Sequence, residues 1–345
     1  MSRTTIARHR TQAKARLEPH VFGYVAATAD GSTEVETERW DAVRFRPLAL
    51  RGLPEPRTET TVLGTTLRHP VMIAPMAQQV AAHPAGETET ALAAIRSGTL
   101  LGVSMNTAVP FADIGATGAP WWYQTYLLAE EDLTFALAER ATAAGARAIL
   151  LTVELVRLAG DGSIEPANWP AGPGRARLSN LTPDERDRLG NRHTIVPGLD
   201  MIERLRAVTG LPIIAKGVLR GDDARRVVNA GADGVLVSTH GNRRIAGSIA
   251  SVDALSEVVD AVGSEVEVYV DSGIRDGHHV LAAQALGARA VFVGRPAWWA
   301  LATGGGEAVS TVIDEIADEY ARALRQSGVS TGAEAFQYNV AVPPR

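Results

Sequence analysis

Cysteine is absent from all 345 residues, which rules out thiol catalysis, disulfides and thiolate metal sites and favours the cytoplasm as compartment. No apolar run approaches the roughly 18 residues of a membrane span, so none is expected. Lysine is almost missing: of 34 cationic residues only Lys14 and Lys216 are lysine. A net charge of -5 gives no reason to expect nucleic acid as a partner. With 46% hydrophobic and 21% charged residues, the chain can bury a large core and is not of disordered composition. Arg3, Arg8, Arg10, Lys14 and Arg16 occur within the first 16 residues without an acid. That pattern fits a transit peptide or, equally well, a solvated first helix.

What is present is an alternation. From residue 71, short β-rich runs alternate with helical patterns, as in βα units around a parallel sheet. Strands are expected near Val71-Ala74, Leu100-Ser104, Trp121-Thr125, Ala148-Thr152, Pro212-Lys216, Gly234-Ser238, Glu267-Asp271 and Ala290-Gly294. Helices are expected over Glu130-Ala144, Arg220-Ala230, Asp276-Leu286 and Gly305-Gln326. The segments GARAILLT, GADGVLVS and GARAVFVG, starting at 145, 231 and 287, each put Gly-Ala before a strand. Eight units, with no G-x-G-x-x-G after the first strand, favour a closed (β/α)8 TIM barrel over a doubly wound sheet. The chain is accordingly expected to form one α/β domain over 1–345. Residues 1–70 are an N-terminal helical and hairpin segment, 71–326 the barrel, and 158–197 a long lid-like insertion after the fourth strand.

In such barrels the reacting groups project from the C-terminal ends of the strands, and a phosphate site usually follows strands seven and eight. Nearly all of these ends are polar here. They carry Ala74, Pro75, Met76 and Ala77; Ser104; Gln124 and Tyr126; Thr152 and Glu154; Lys216; His240 and Arg243; Asp271, Ser272, Gly273 and Arg275; and Gly294 with Arg295. The last two groups, in DSGIRDG and VGRP, combine small residues whose N–H groups can approach a phosphate with arginines that can neutralise it. Glycine also punctuates ordinary turns, but both motifs fall at consecutive strand ends, which points to a phosphorylated cofactor. Lys216 lies inside the apolar LPIIAKG. It is either a buried cation with a carboxylate partner or a positive charge held against a cofactor ring. A lone histidine is more often structural than catalytic. His240 has company that the other seven lack: Arg243 three residues on, and Glu154 two strands back to fix its tautomer.

Taken together, PVMIAPMAQQVAAHPAGE, YQTY, LTVE, LPIIAKGV, STHGNR, VDSGIRDG and VFVGRP resemble the FMN-dependent α-hydroxy-acid oxidases and dehydrogenases over nearly the whole chain. The resemblance implies FMN across the barrel mouth, with its ring on Ala74, Pro75, Met76 and Ala77. Ser104, Gln124 and Thr152 would bond the polar edge of the ring and Lys216 its N1/O2 side. Asp271 would meet the ribityl chain, and Ser272, Gly273, Arg275, Gly294 and Arg295 the phosphate. It further implies His240 as base, Glu154 as the acid orienting it, Arg243 as carboxylate clamp, and Tyr24 and Tyr126 as hydroxyl donors to the substrate. Tyr24 can equally be an aromatic packed on a helix face. No metal is implied. A small-molecule substrate, oxygen or another electron acceptor, and a homo-oligomer, a tetramer by resemblance, are.

Four positions depart from the family's pattern: Thr239 for asparagine, Glu154 for aspartate, Asp161 for a second carboxylate-binding arginine, and Asn106 for an aromatic residue. Asn106 and Asp161 bear on the substrate pocket, and Arg157 or Arg244 could replace the missing cation. The expected activity is oxidation of the CH–OH carbon of a 2-hydroxy acid to the keto product in a specialised pathway. Oxidation of a CH–NH2 carbon or of an alcohol without a carboxylate is the first alternative, and a non-redox lyase or isomerase binding a phosphorylated ligand the second. The purified protein should be yellow and should release FMN, not FAD, when denatured, because no dinucleotide fingerprint accompanies the phosphate turns; chromatography of the released flavin decides this, and FAD or no flavin would overturn it.

Overall fold

A computed structural model describes residues 1–29, 31, 34–154, 179–189, 194–195, 198–336 and 340–342. Three helices come first, α1 (Ser2–Arg16), α2 (Pro19–Ala26) and α3 (Val35–Asp41), followed by an antiparallel hairpin, β1 (Thr60–Val62) and β2 (Thr65–Leu67). The barrel strands are β3 (Val71–Ile73), β4 (Leu101–Ser104), β5 (Trp121–Thr125), β7 (Ile149–Thr152), β9 (Ile213–Val218), β10 (Gly234–Val237), β11 (Glu267–Val270) and β12 (Ala290–Val293). They are parallel and close on themselves in chain order, β12 pairing back to β3. Between and after them run α4 (Gly86–Ser97), α5 (Phe111–Ala116), α6 (Glu131–Ala143), α7 (Pro183–Leu189), α8 (Asp200–Thr209), α9 (Gly221–Asn229), α10 (Ser251–Val262), α11 (Gly277–Ala285), α12 (Arg295–Ser327) and α13 (Gly332–Ala335). Most of the expected insertion, with Arg157 and Asp161, lies outside the described residues. Its described parts are α7 and β8 (Thr194–Ile195), which pairs with β6 (Leu127–Leu128).

The strands read as continuous apolar runs because both their faces are buried. Inward-facing Met72, Leu100, Trp122, Leu150, Ile214, Leu236, Tyr269 and Phe292 fill the barrel, and Val62 and Leu67 of the hairpin close its lower end. Trp122 meets Tyr269 edge-on, ring centroids 5.3 Å apart, and Phe292 at 5.9 Å. The outward faces pack against the helices. The repeated glycines have a common cause: Gly145, Gly231 and Gly287 have φ of 95°, 99° and 99°, where a helix stops and the chain turns into the next strand.

Two elements differ from the sequence expectation. The fifth barrel strand runs two residues beyond Lys216, because Gly217 (φ 107°) is an extra residue in β9: Lys216 pairs with Leu236 and Val218 with Val237. The last helix begins at Arg295, ten residues early, and is broken by non-helical backbone at Gly304 and Gly305. The expected start at Gly305 marks its second half. The basic first segment is helix α1, packed on α12 through Ile6 and Ala13, with Arg3 bonded to Asp41 and Asp276 and Arg16 to the Thr303 carbonyl. Among the described residues no helix is long and apolar enough to cross a membrane.

A close helix contact lies at the start of α11, capped by the Asp276 carboxylate, which accepts from His278 N (2.9 Å) and His279 N (3.1 Å). A Cβ on Gly277 would lie 2.0 Å from Tyr320 N and 2.2 Å from Glu319 C in the α12 backbone. Gly277→Ala should therefore destabilise the protein by about 1–3 kcal/mol or more through overpacking, seen as a lower Tm in a thermal melt; an unchanged Tm would contradict this packing.

Candidate active site

The C-terminal ends of the strands surround a cleft. Tyr24, Ala74, Pro75, Met76, Ala77, Ser104, Asn106, Gln124, Tyr126, Lys216, His240, Arg243, Asp271, Ser272, Gly273, Arg275, Gly294 and Arg295 all line it. Two of the expected residues stand behind the wall. Thr152 accepts a hydrogen bond from Gln124 Nε2 (3.0 Å), and Glu154 supports His240. Asp161 lies outside the described residues. Val25, Gly241 and Phe292 also line the cleft and were not anticipated, the first and last because in sequence they are indistinguishable from core.

His240, Gly241 and Asn242 are consecutive left-handed residues, with φ of 57°, 69° and 61°. This turn presents the imidazole to the cleft. Nδ1 lies 2.6 Å from Glu154 Oε1, and Nε2 is 3.3 Å from the Tyr126 hydroxyl. A carboxylate at Nδ1 requires the proton on that nitrogen, leaving Nε2 as a free base. Lys216 Nζ donates to Ser238 Oγ (3.0 Å) and sits 3.6 Å from both Glu154 Oε1 and Asp271 Oδ2. Both readings of Lys216 thus meet: it has carboxylate partners and it lines the cleft.

Burial alone would neutralise these groups, and their mutual charges decide otherwise. Glu154 is held below the ordinary carboxylate range because Lys216 and the His240 hydrogen bond outweigh its desolvation. Desolvation opposes the charge on Lys216 too, but Glu154 and Asp271 keep its ammonium above the ordinary value. For His240 burial wins, aided by Lys216 and opposed by Glu154, so its pKa falls below that of a free imidazole. Burial likewise pushes the Tyr126 phenol up, keeping it protonated. The extra length of Glu154 is taken up by the bulge in β9, since a Cβ at Gly217 would lie 1.1 Å from Glu154 Oε2.

At the opposite pole Arg275 and Arg295 are half-buried, and desolvation pulls them down to about 10 and about 9. Each is further opposed by neighbouring cations, Arg295 by Arg275 itself. Among the described residues no carboxylate pairs with either; Arg275 donates to the Ile274 carbonyl (2.8 Å) and Arg295 to that of Gly241. The charges of Glu34 and Glu36 act on both in the opposite sense, but with no carboxylate bonded to it this pair of cations favours an anion. Ser272 and Gly273 (φ 71° and 84°) and Gly294 at the N-terminus of α12 leave backbone free to approach it. A phosphate at this pole and a flavin ring between Ala74–Ala77 and Lys216 match the residues present.

Behind the phosphate pole stands α3, whose part was not foreseen. Trp40 Nε1 donates to the Ser272 carbonyl (2.8 Å), Thr37 Oγ1 to that of Gly273 (3.1 Å), and Glu36 accepts from Thr239 Oγ1 (2.5 Å). In sequence this is a short stretch of acids and an aromatic with no spacing that separates it from a surface helix.

Residues 13–341 match the family of FMN-dependent dehydrogenases. An L-lactate oxidase from Nostoc sp. is 36% identical, the match covering 92% of each chain. A 4-hydroxymandelate oxidase from Amycolatopsis orientalis is 34% identical, covering 94% of each. A crystal structure of mandelate oxidase with benzoyl-formic acid superposes with a TM-score of 0.87 at 33% identity, covering 97% of this chain and 98% of that one. These likenesses remove the non-redox reading of the barrel. The chain belongs to the FMN-dependent dehydrogenase family, with FMN as its cofactor.

Proposed function

We propose that this oxidoreductase converts the CH–OH carbon of a 2-hydroxy acid larger than lactate to the 2-oxo acid. The observation that carries the proposal is the line Glu154, His240, Tyr126 at the cleft, beside Arg243. When bound, FMN accepts the two electrons and one hydrogen that leave the substrate. Everything else falls to the chain. His240 Nε2 takes the proton released at the reacting carbon or its hydroxyl, and Glu154 stabilises the imidazolium through Nδ1. Tyr126, kept protonated by burial, donates to the oxygen on which charge changes. Arg243 takes the substrate carboxylate. Its Nη1 is anchored on the carbonyls of Tyr24 (2.6 Å) and Ala27 (3.2 Å) at the end of α2, and its guanidinium lies 5.0 Å from the centre of the Tyr24 ring. Tyr24 therefore lines the cleft and braces the clamp at once.

Ser104, Gln124, Lys216 and the Ala74–Ala77 stretch are assigned to the ring, with Thr152 acting through Gln124. Asp271 is assigned to the ribityl chain, and Ser272, Gly273, Arg275, Gly294 and Arg295 to the phosphate. Names ending in oxidase among the relatives support oxygen as acceptor. We also propose a homotetramer in the cytoplasm, the latter supported by the lack of cysteine.

A substrate larger than lactate follows from Asp161 and Asn106. A second arginine at 161 would add charged hydrogen bonds of about 1.5–3 kcal/mol each, so its loss weakens small hydroxy acids by about ten to a hundredfold, and an acid there repels them further.

His240→Gln should keep its FMN and lose roughly three orders of magnitude in flavin reduction, measured by anaerobic stopped-flow bleaching with a panel of hydroxy acids, amino acids and alcohols; reduction near the parent rate would assign the base elsewhere. Because protonated His240 cannot accept a proton and burial holds its pKa down, kcat/KM should decline only as pH drops below about 6.5; an acid limb centred above that value contradicts the assignment. Asp161→Arg should raise kcat/KM for lactate by about ten to a hundredfold. If the parent already turns lactate over at about 10⁴ M⁻¹s⁻¹ or faster, Asp161 does not set specificity.

A further inference from the structure

We propose that Glu36, brought to the barrel mouth by α3, is a positioning residue for His240 that acts through the hydroxyl of Thr239. The inference rests on the reading of His240 as the base. The imidazole owes its direction to the turn 240–242, in which three successive residues have positive φ and two of them, His240 and Asn242, are not glycine. Side chains with a Cβ resist that conformation, so the turn holds its shape only while it is fixed from outside.

The ties are few and specific. Ser238 Oγ accepts from His240 N (3.0 Å), and Ser272 Oγ from Gly241 N (3.0 Å) and Thr239 N (3.3 Å). Arg295 donates to the Gly241 carbonyl, and Ala29 N to that of Asn242 (2.7 Å). Two bonds close the turn on itself, Arg243 N to the Thr239 carbonyl (3.3 Å) and Asn242 N to Thr239 Oγ1 (3.1 Å), and the second depends on how the hydroxyl points. For Thr239 to accept there, its own hydroxyl proton must point elsewhere, and Glu36 Oε1 receives it at 2.5 Å. Glu36 Oε2 accepts from Ser251 N (3.1 Å) and Ser251 Oγ (3.3 Å). Every bond to the carboxylate is donated to it, and together they fix the Thr239 hydroxyl in one orientation.

Glu36 is 6% exposed and, among the described residues, has no ion-pair partner. Burying a carboxylate in this way is costly, and an apolar side chain would serve packing alone better. Burial, with nearby Asp271, outweighs the Thr239 and Ser251 hydrogen bonds and holds the carboxyl above its ordinary pKa, and its charge acts on Arg275 and Arg295. The groups facing His240 itself are Glu154, Lys216, Arg243 and Tyr126. Without the Glu36–Thr239 bond the hydroxyl turns, Asn242 N loses its fixed acceptor, and the turn relaxes. The imidazole then leaves its 2.6 Å contact with Glu154 and becomes more solvated.

The test is the titration of His240 in FMN-loaded protein, followed by NMR of labelled histidine, with the signal missing in His240→Gln identifying the residue. In the parent His240 should titrate below a free histidine. Thr239→Val and Glu36→Met should each shift it upward, Thr239→Ser should leave it in place, and Glu36→Met/Thr239→Val should shift it no further than either single change, because both remove the same hydrogen bond. A parent-like titration in Thr239→Val, or shifts that add in the double variant, would overturn the inference. Thr239→Val is close to isosteric and decides the matter alone if Glu36→Met fails to fold. Should His240→Gln still reduce its flavin at the parent rate, the base assignment fails while the titration still reports on the turn.

Discussion

Lys216 sits at equal distance, 3.6 Å, from two buried carboxylates, Glu154 and Asp271, and the rest of the site depends on that arrangement. An isolated buried lysine or glutamate would lose its charge, since desolvation costs several kcal/mol per ion. Here each ion is kept by the others. The three together carry one excess negative charge, which a proton arriving on His240 neutralises. A resting imidazole that is neutral, yet gains a stabilised cation when it takes a proton, is what a general base requires. Geometry makes the trio possible: the extra residue Gly217 in β9 offers the slot into which the longer Glu154 fits, beside the lysine it must meet.

The second constraint is the pair Arg275 and Arg295, to which no carboxylate is bonded among the described residues. Desolvation and neighbouring cations lower the pKa of both guanidinium groups, and a phosphate beside them would oppose that shift. The same turns that expose these arginines also hold His240, since Arg295 bonds Gly241 and Ser272 bonds both Thr239 and Gly241. The arginine pair and His240 are therefore mechanically one unit, clasped from behind by α3.

Much of this was legible in the sequence, for identifiable reasons. Fully buried parallel strands are continuous apolar runs, so all eight could be placed, and a polar residue at the end of such a run is conspicuous. Lys216 and His240 stood out on that ground. The rest depends on contacts that spacing does not encode. Glu36 and Trp40 look like any short amphipathic helix until the fold carries them to the loops after β10 and β11, more than two hundred residues away. The role of Gly217 required knowing which side chain would otherwise collide with it. Gly304 and Gly305 are a true break, as the glycine run suggests, and only the helical turns from Arg295 up to that break were hidden, because VGRP reads as a phosphate turn. Val25 and Phe292 are cleft wall by position and core by composition.

The central claim is that His240 rests as a neutral imidazole with its proton on Nδ1 toward Glu154 and Nε2 bare. The ¹⁵N chemical shifts of its two ring nitrogens at neutral pH in FMN-loaded protein test this directly. The account predicts a protonated Nδ1 and an unprotonated Nε2. An imidazolium, or a proton on Nε2 with Nδ1 bare, would contradict it.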